Sequence, residues 1–211
     1  MAKPHLITWE KGRPIHRIHH TDYGSNQFND SGKGYARFSP LIKADGTIIP
    51  TLYGAGMFRA SAMETIFHDL PEDISSFIFS YKALQLMAHS MVAPARDLTL
   101  LDLGSVGLRA LQMKKSDVID SPPSTYPHTQ ALSLAWHQEL PHIDGLAWMS
   151  RLDDYSPACM LFGDRVTPAD LPVQASVQSL AASPCLEAVV ELAKILGITK
   201  GRHFPSRLIG F

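Results

Sequence analysis

Apolar and polar residues alternate along much of this chain in short segments that are typical of β-strands. Residues 15–19 alternate apolar and basic side chains, and residues 47–53 form an apolar segment. The leucines at 98–103 combine alternation with a continuous apolar run, and residues 158–162 are entirely apolar. The apolar region 74–92 is interpreted in the same way. The pattern therefore predicts several short strands, some of them buried on both faces.

Helical spacing of apolar residues predicts three helices. The first runs from about residue 57 to 69, with Met63 and Phe67 on its buried face. The second covers residues 128–140, and the last stops at Gly197, which is a suitable C-terminal cap. No repeated strand–helix–strand unit follows the glycine-x-glycine turn after the second strand, so a dinucleotide-binding doubly wound sheet is not predicted.

Strands and helices are mixed without an internal repeat or a clear domain boundary, so a single α+β domain is expected. Within it we distinguish an N-terminal arm at residues 1–14, interrupted by prolines, from a core at residues 15–165. Residues 166–211 then form a C-terminal extension whose helix packs on the core.

Composition excludes some functional classes. The chain has 211 residues, of which 45% are hydrophobic and 18% are charged, as in an ordinary globular protein. Its formal net charge of -1 gives no general basic field of the kind that attracts nucleic acid, so no direct nucleic-acid partner is expected. Any anion-binding site must therefore be local.

Nothing in the sequence indicates a metal site or a membrane. Cys159 and Cys185 have neither metal-ligand spacing nor a disulfide framework, which fits a reducing compartment. No Cys, Asp or Glu completes a local ligand set around His16, His19 and His20. No apolar run approaches the roughly 20 residues that span a bilayer, and the N-terminus lacks the pattern of a signal peptide. A cytoplasmic protein with no metal is expected.

A polar, glycine-rich loop at residues 22–46 is longer than a simple connection needs, and loops of this length are often functional. Arg37 and Phe38 lie near its end. A guanidinium forks onto phosphate in a way that lysine cannot, so Arg37 is a candidate anion ligand, and Arg17 on the preceding strand is another. Both have structural alternatives, because Arg37 could bind loop carbonyls and Arg17 could be a solvated residue at a strand edge.

Tyr53 and Glu64 follow, at the end of a predicted strand and on the next helix. Glu64 borders the buried stripe of that helix, where a carboxylate could be held partly dry. Ser61 and Glu64 also have the spacing of a capping box, in which Glu64 would only bind the backbone at the helix start. A cation, an aromatic ring and a carboxylate together suit a substrate that is anionic and about to become cationic, such as NAD.

Ser150 stands at the end of a further short buried strand, where its hydroxyl would face a cleft. No G-x-S-x-G elbow surrounds it, so a hydrolase nucleophile is not indicated. Hydrogen bonding to a substrate and simple capping of the strand both stay open.

These separated segments resemble, in their order and spacing, the RES-domain family, which is named for its Arg, Glu and Ser. The resemblance covers about residues 15–165 and rests on His16-Arg17-Ile18, Arg37-Phe38-Ser39-Pro40, Leu52-Tyr53, Ala62-Met63-Glu64 and Trp148-Met149-Ser150-Arg151. Many members carry Trp and then Asn after the loop arginine, whereas this chain has Phe38 and Ser39 there. The aromatic face is kept, and a contact that depends on the Asn is not.

The resemblance implies an ADP-ribosyltransferase-like fold, with small bent β-sheets around an NAD cleft and helices outside. It implies a toxin of a toxin–antitoxin system that cleaves the nicotinamide–ribose bond of NAD, with phosphate (an NAD phosphorylase) or water (an NAD glycohydrolase) as acceptor. A mono-ADP-ribosyltransferase that modifies a protein and a non-catalytic binding module are the alternatives. The implied partner is a helix-turn-helix antitoxin of the Xre type that occludes the cleft, and a homodimer is left open.

The resemblance also implies roles for individual residues. Glu64 would stabilise positive charge on the ribose or hold its hydroxyls, and Tyr53 would stack on or orient the nicotinamide ribose. Arg37, assisted by Arg17, would grip the pyrophosphate or the attacking phosphate, beside the aromatic face of Phe38. Ser150 would bind the nicotinamide amide or the acceptor phosphate. Because nicotinamide leaves as a neutral molecule, no strong general acid is required.

Overall fold

A computed structural model of the chain describes residues 3–68, 70–71, 79–198 and 201–202. The described strands are β1 (Leu6–Trp9), β2 (Ile15–His20), β3 (Leu41–Ile42), β4 (Ile48–Ile49), β5 (Thr51–Ala55), β6 (Phe79–Ser80), β7 (Met87–Val92), β8 (Leu98–Asp102), β9 (Gly145–Met149), β10 (Pro157–Phe162), β11 (Val173–Val177) and β12 (Gly201–Arg202). The described helices are α1 (Phe58–Thr65), α2 (Tyr81–Gln85), α3 (Ser105–Ala110), α4 (Lys115–Val118), α5 (Tyr126–Glu139) and α6 (Cys185–Ile195). None of these helices has both the length and the apolar character needed to cross a bilayer.

Eight of the strands form one mixed sheet in the order β1-β8-β9-β10-β5-β2-β7-β11. Neighbouring strands run antiparallel, except for β8 and β9, which are parallel. The sheet curls into a half-barrel, and the chain forms a single α+β domain, which confirms the predicted fold class. One large sheet thus carries the fold, accompanied by the two-stranded pairs β3–β4 and β6–β12.

The central strand β10 is covered on both faces. Cys159 and Leu161 belong to the core on one side of the sheet, and Met160 and Phe162 belong to the core on the other, together with Trp148 of β9. Because successive side chains of a strand point to opposite faces, an uninterrupted apolar segment needs a core on each side. The predicted strand at residues 158–162 is therefore confirmed as a doubly buried one.

A third core joins the two ends of the chain. Ile18 of β2, Met63 of α1, and Leu186 and Val189 of α6 are buried in it together. Helix α6 therefore shares a hydrophobic core with the helix that carries Glu64. Gly197 follows its last turn at φ 76°, a left-handed conformation that favours glycine, so the predicted cap is confirmed.

Two segments that were expected to lie outside the core domain contribute strands to the main sheet. Within the predicted N-terminal arm at residues 1–14, β1 pairs antiparallel with β8 from Leu6 to Trp9. Within the predicted C-terminal extension, β11 pairs with β7 at the other edge of the sheet, so the main sheet continues beyond residue 165. In the sequence, a short polar connection within one domain has the same pattern as a boundary between domains. The pairing of the strand beyond the connection distinguishes the two. Residues 203–211 of the extension lie outside the described residues.

The region 74–92 is not all strand. Residues 81–85 form helix α2, whose start is capped by the hydroxyl of Ser80, which accepts the N–H of Ala83 at 3.3 Å. A serine cap supplies a hydrogen bond that favours a helical turn over continued strand pairing. Residues 87–92 then form β7 as predicted, while residues 74–78 lie outside the described residues.

A pair of histidines connects β2 to β7. Nδ1 of His16 and Nε2 of His89 are 3.0 Å apart, and the two rings are stacked with their centroids 5.2 Å apart. The ring of Phe58 packs edge-on against His89. Burial lowers the pKa of both histidines, and for His89 burial and then the charges of His16 and His19 lower the pKa to about 4. The pair is therefore neutral in the folded protein at neutral pH.

This pair should make the fold sensitive to mild acid. The ordinary pKa of histidine, which applies to the unfolded chain, is about 6.5. Between pH 6.5 and about 4 the unfolded chain binds a proton that folded His89 does not, so stability is lost as the pH falls through this range. Water partly screens half-buried His89, so we expect an effect of about 1 kcal/mol, or roughly 2–4 °C in the melting temperature.

The measurement is thermal unfolding at pH 7 and pH 5. His89→Gln should show a smaller difference between the two melting temperatures than the wild type, while the exposed control His128→Gln should retain the wild-type difference. An unchanged difference in His89→Gln would contradict the assignment.

Candidate functional site

A cleft with a cavity volume of about 330 Å³ opens between β5, α1 and the start of α5. Its lining includes Arg37 from the glycine-rich loop, Tyr53 from β5 and Glu64 from α1. Tyr126 of α5 and Trp148 of β9 complete its aromatic walls. The volume lies at the lower end of the range for small-molecule sites. The three residues predicted to be catalytic are thus brought into one cavity, although they belong to different elements.

Glu64 is fixed in this cleft by Ser150. The Ser150 hydroxyl donates a hydrogen bond of 2.7 Å to Oε1 of Glu64. Ser150 lies directly after β9 and is completely buried, and its backbone N–H donates to the carbonyl of Ser156 at 3.1 Å. Since its proton is directed at Glu64, Ser150 positions the carboxylate and does not line the cavity itself.

The capping-box interpretation of Glu64 is wrong. Helix α1 begins at Phe58 with Met57 as its N-cap, so Ser61 lies inside the helix and not before it. Glu64 is the penultimate residue of α1, seven positions after its N-cap by residue number, where no free backbone N–H of the helix start can be reached. Its carboxylate is instead directed to the cleft and to Ser150.

Arg37 is held by one of its terminal nitrogens. Nη1 donates to the carbonyls of Val118 and Ser121 at 3.0 and 2.9 Å, and to the Ser121 hydroxyl at 2.7 Å. Within the described residues, Nε and Nη2 make no hydrogen bond. Burial lowers the pKa of Arg37 from its ordinary value of about 12.5, and the guanidinium is still charged at neutral pH. Arg37 therefore has one edge fixed by the protein and another edge available to a ligand.

Tyr53 is a neutral wall of the cleft. Its ring packs edge-on against Trp148, with the centroids 6.2 Å apart, and its hydroxyl accepts the N–H of Phe38 at 3.2 Å. Burial raises the pKa of the phenol well above its ordinary value of about 10. Tyr53 can therefore pack against or hydrogen-bond a ligand, but it does not act as a base at neutral pH.

Phe38 is not placed at the cavity. Its side chain is fully buried and packs edge-on against Trp148, with the centroids 5.1 Å apart. The aromatic residue after the loop arginine therefore packs against Trp148, which lines the cleft, and does not itself line the cavity. The aromatic surface that a ligand meets comes from Tyr53, Tyr126 and Trp148.

Arg17 lies on the other face of the sheet. A side chain at Gly54 would contact Ile15 and Arg17, which places Arg17 on the face opposite to that of Tyr53. The guanidinium donates to the carbonyls of Gly24 and Ser25 at 3.2 and 2.7 Å, and burial lowers its pKa to about 10. Arg17 is thus neither a cleft residue nor a solvated edge residue, but an internal support for the 22–26 loop.

The histidines near the N-terminus have local partners. His16 contacts His89, and Nε2 of His19 lies 2.9 Å from the hydroxyl of Ser90. Among the residues that the structure describes, no group of three or more His, Cys, Asp or Glu side chains could hold a metal ion.

Sequence reasoning missed Tyr126 and Trp148 as residues of the site. Tyr126 begins α5 and precedes Pro127, a position typical of a helix start, but this pattern does not show that the ring faces a cavity. The sequence places Trp148 only within the segment that leads to Ser150. Because successive side chains of a strand point to opposite faces, Trp148 shares a face of β9 with Leu146. The sequence does not indicate that this face borders a cavity.

The curled sheet and its cleft first define a class of protein, namely an α+β domain of the ADP-ribosyltransferase-like kind. Comparison with known families then gives a match to the RES domain over residues 14–183. Because this match covers most of the chain, the protein belongs to the RES domain family, a family of NAD-degrading toxins. RES toxins generally pair with Xre antitoxins. A search of curated proteins found no match for the chain.

The contact between Ser150 and Glu64 makes a specific prediction for NAD degradation. Ser150→Ala should lower kcat by about ten- to a hundredfold with little change in KM, because Glu64 is still present but no longer held in place. The measurement is steady-state NAD consumption. Ser156→Ala is the matched control, because Ser156 is a buried serine of the same loop that does not contact Glu64, and its kcat should stay close to that of the wild type. Equal losses in both variants would contradict a positioning role for Ser150.

Proposed function

We propose that this protein degrades NAD by cleaving the bond between nicotinamide and ribose, with phosphate or water as the acceptor. The observation that carries the proposal is the Glu64 carboxylate, held at 2.7 Å by Ser150 within a cleft that also contains Arg37 and Tyr53. Membership of the RES domain family supports NAD as the substrate.

The carboxylate suits the charge that the reaction develops. When the nicotinamide–ribose bond breaks, its electron pair goes to the pyridine nitrogen, and positive charge develops on the ribose carbon and ring oxygen. An oriented carboxylate stabilises this charge more strongly in the transition state than in the ground state. Nicotinamide leaves without needing a proton, so the neutral phenol of Tyr53 is not required as an acid.

The acceptor then forms the new bond to the ribose carbon from an anionic oxygen of phosphate or from the oxygen of water, and in the second case the water oxygen loses one proton to the solvent. With phosphate, the product is ADP-ribose 1″-phosphate, and with water it is ADP-ribose. The free edge of Arg37 offers two N–H directions to a phosphate group, which favours phosphate as acceptor or as the anchored part of NAD. A cytoplasmic enzyme would have both reactants available, and a partner antitoxin of the Xre type would be expected to cover this cleft.

Glu64→Gln tests the role of the carboxylate. The amide keeps the size and the hydrogen bond of the side chain but removes the negative charge, so kcat for NAD should fall by about a hundred- to a thousandfold. The matched control is Glu191→Gln, because Glu191 is exposed on α6, and its activity should be unchanged. The measurement is loss of NAD, with nicotinamide as the detected product. Full activity of Glu64→Gln would contradict the mechanism, and no NAD loss in the wild type would contradict the proposed function.

Product identification tests the acceptor. NAD labelled in its adenylate half should yield labelled ADP-ribose 1″-phosphate when inorganic phosphate is added, and NAD loss should be faster than in sulfate at equal ionic strength. In phosphate-free buffer, slower formation of ADP-ribose is expected. Phosphorus NMR and chromatography distinguish the two products. Equal rates and ADP-ribose alone in both buffers would show water to be the acceptor, and label attached to protein would instead indicate an ADP-ribosyltransferase.

A further inference from the structure

Tyr35 is an exposed aromatic residue that the fold nevertheless holds in place. It lines the cleft in addition to Tyr53, Tyr126 and Trp148, and it is 60% exposed. Its hydroxyl donates to the carbonyl of Pro123 at 2.8 Å, and its ring packs against the ring of Tyr126 with the centroids 5.3 Å apart. An aromatic ring that is anchored at its tip and open to solvent offers a ready surface for a ligand.

The backbone on both sides of Tyr35 also fixes its position. Gly34 precedes it at φ 108°, a left-handed conformation that favours glycine. Ala36 follows it, and its N–H donates to the carbonyl of Ser39 at 3.0 Å. The carbonyl of Ala36 accepts the side-chain amide of Gln130 on α5 at 2.9 Å. The ring is therefore presented at the mouth of the cleft by a loop end that is bonded to α5.

The contacts of three cleft residues give their order along the cavity. Glu64 is bonded to Ser150 at the end of β9, whereas the partners of Tyr35 belong to the start of α5. Arg37 has neighbours in both directions. Burial is the main cause of its lowered pKa, and the charges of Tyr126 and Glu64 act against this shift. Its guanidinium carbon is 5.0 Å from the centre of the Tyr126 ring, against which Tyr35 packs. The order is therefore Glu64, Arg37, Tyr35.

The parts of NAD follow one another in a matching order. The bond that breaks joins nicotinamide to the first ribose, the two phosphates come next, and adenosine forms the far end. With the first ribose at Glu64 and the phosphates beside Arg37, the adenine base is directed to the mouth of the cleft, where Tyr35 lies. A flat base stacks on an aromatic side chain, and such a contact changes affinity by roughly ten- to a hundredfold.

We propose that Tyr35 recognises the adenine base by stacking and thereby makes the cleft select a dinucleotide over a mononucleotide. The inference rests on the proposed function and extends it from the reacting bond to the choice of substrate. Because the hydroxyl of Tyr35 already donates to Pro123, the residue offers its ring and not a hydrogen-bond donor. Recognition of this kind tolerates any purine, so a guanine dinucleotide should be used about as well as NAD.

Tyr35→Ala tests this role by removing the ring. The KM for NAD should rise by roughly ten- to a hundredfold with kcat within about twofold of the wild type, because the reacting bond is not touched. Nicotinamide mononucleotide has the same reacting bond and no adenosine, so its kcat/KM should be unchanged. Tyr35→Phe keeps the ring and should retain a KM for NAD within about threefold of the wild type.

Tyr23→Ala is the matched control. Tyr23 is also an exposed tyrosine of the glycine-rich loop, at 43%, but it is not among the described residues that line the cleft. Its KM for NAD should equal that of the wild type. An unchanged KM for NAD in Tyr35→Ala would overturn the proposal. So would an equal loss of kcat/KM for nicotinamide mononucleotide, because a stacking role affects only the substrate that carries a base.

Binding without turnover separates this proposal from the proposed function. Calorimetry with adenosine monophosphate should show roughly ten- to a hundredfold weaker binding to Tyr35→Ala than to the wild type, and wild-type binding to Tyr23→Ala. Equal binding to all three proteins would overturn the stacking role even if NAD is cleaved. A wild type that binds adenosine monophosphate through Tyr35 but leaves NAD intact would refute the proposed function and keep the base site.

Discussion

The hydrogen bond between Ser150 and Glu64 joins elements that are 86 residues apart in sequence, and the central strand β10 sets the distance between them. β10 pairs with β5 on one side, which leads into the helix of Glu64, and with β9 on the other, which ends at Ser150. The same pairing places Tyr53 opposite Met160, and Trp148 opposite Ala158. Since these partners on β10 are two residues apart, both rings emerge on one face and meet edge-on. The cleft is therefore a consequence of strand register.

The sequence predicted well what depends on local periodicity. The strands at β8 and β10, the final helix with its glycine cap, and the position of Ser150 at a strand end all follow from patterns within a few residues. Glu64 at the border of a helical stripe is also such a feature. The structure was needed to choose between a helix cap and a carboxylate directed into the cleft. A capping box is defined by the residue at which the helix begins, and α1 begins three residues before Ser61.

Features that depend on the neighbours of a strand could not be predicted in the same way. Arg17 and Ile18 are adjacent, so they lie on opposite faces of β2, but only the pairing with β5 shows that the face of Ile18 borders the cleft. Phe38 is a second example, since an aromatic residue at the end of a loop can either line a cavity or be buried behind the residues that line it. β1 and β11 are a third example, because the place of a short edge strand in a sheet depends on the strand that it pairs with.

Arg37 shows that a structural and a functional interpretation of one residue need not compete. The bonds of Nη1 to backbone carbonyls fix the guanidinium, and under the proposed function this fixation would hold its other edge in place for an anion. A chain with a formal net charge of -1 has no general field to attract phosphate, so the positive charge must be concentrated and held in place. Glu64 is held in the same way by Ser150. Both charges are oriented before a substrate arrives, and a reaction whose leaving group needs no proton depends mainly on such preorganised charges.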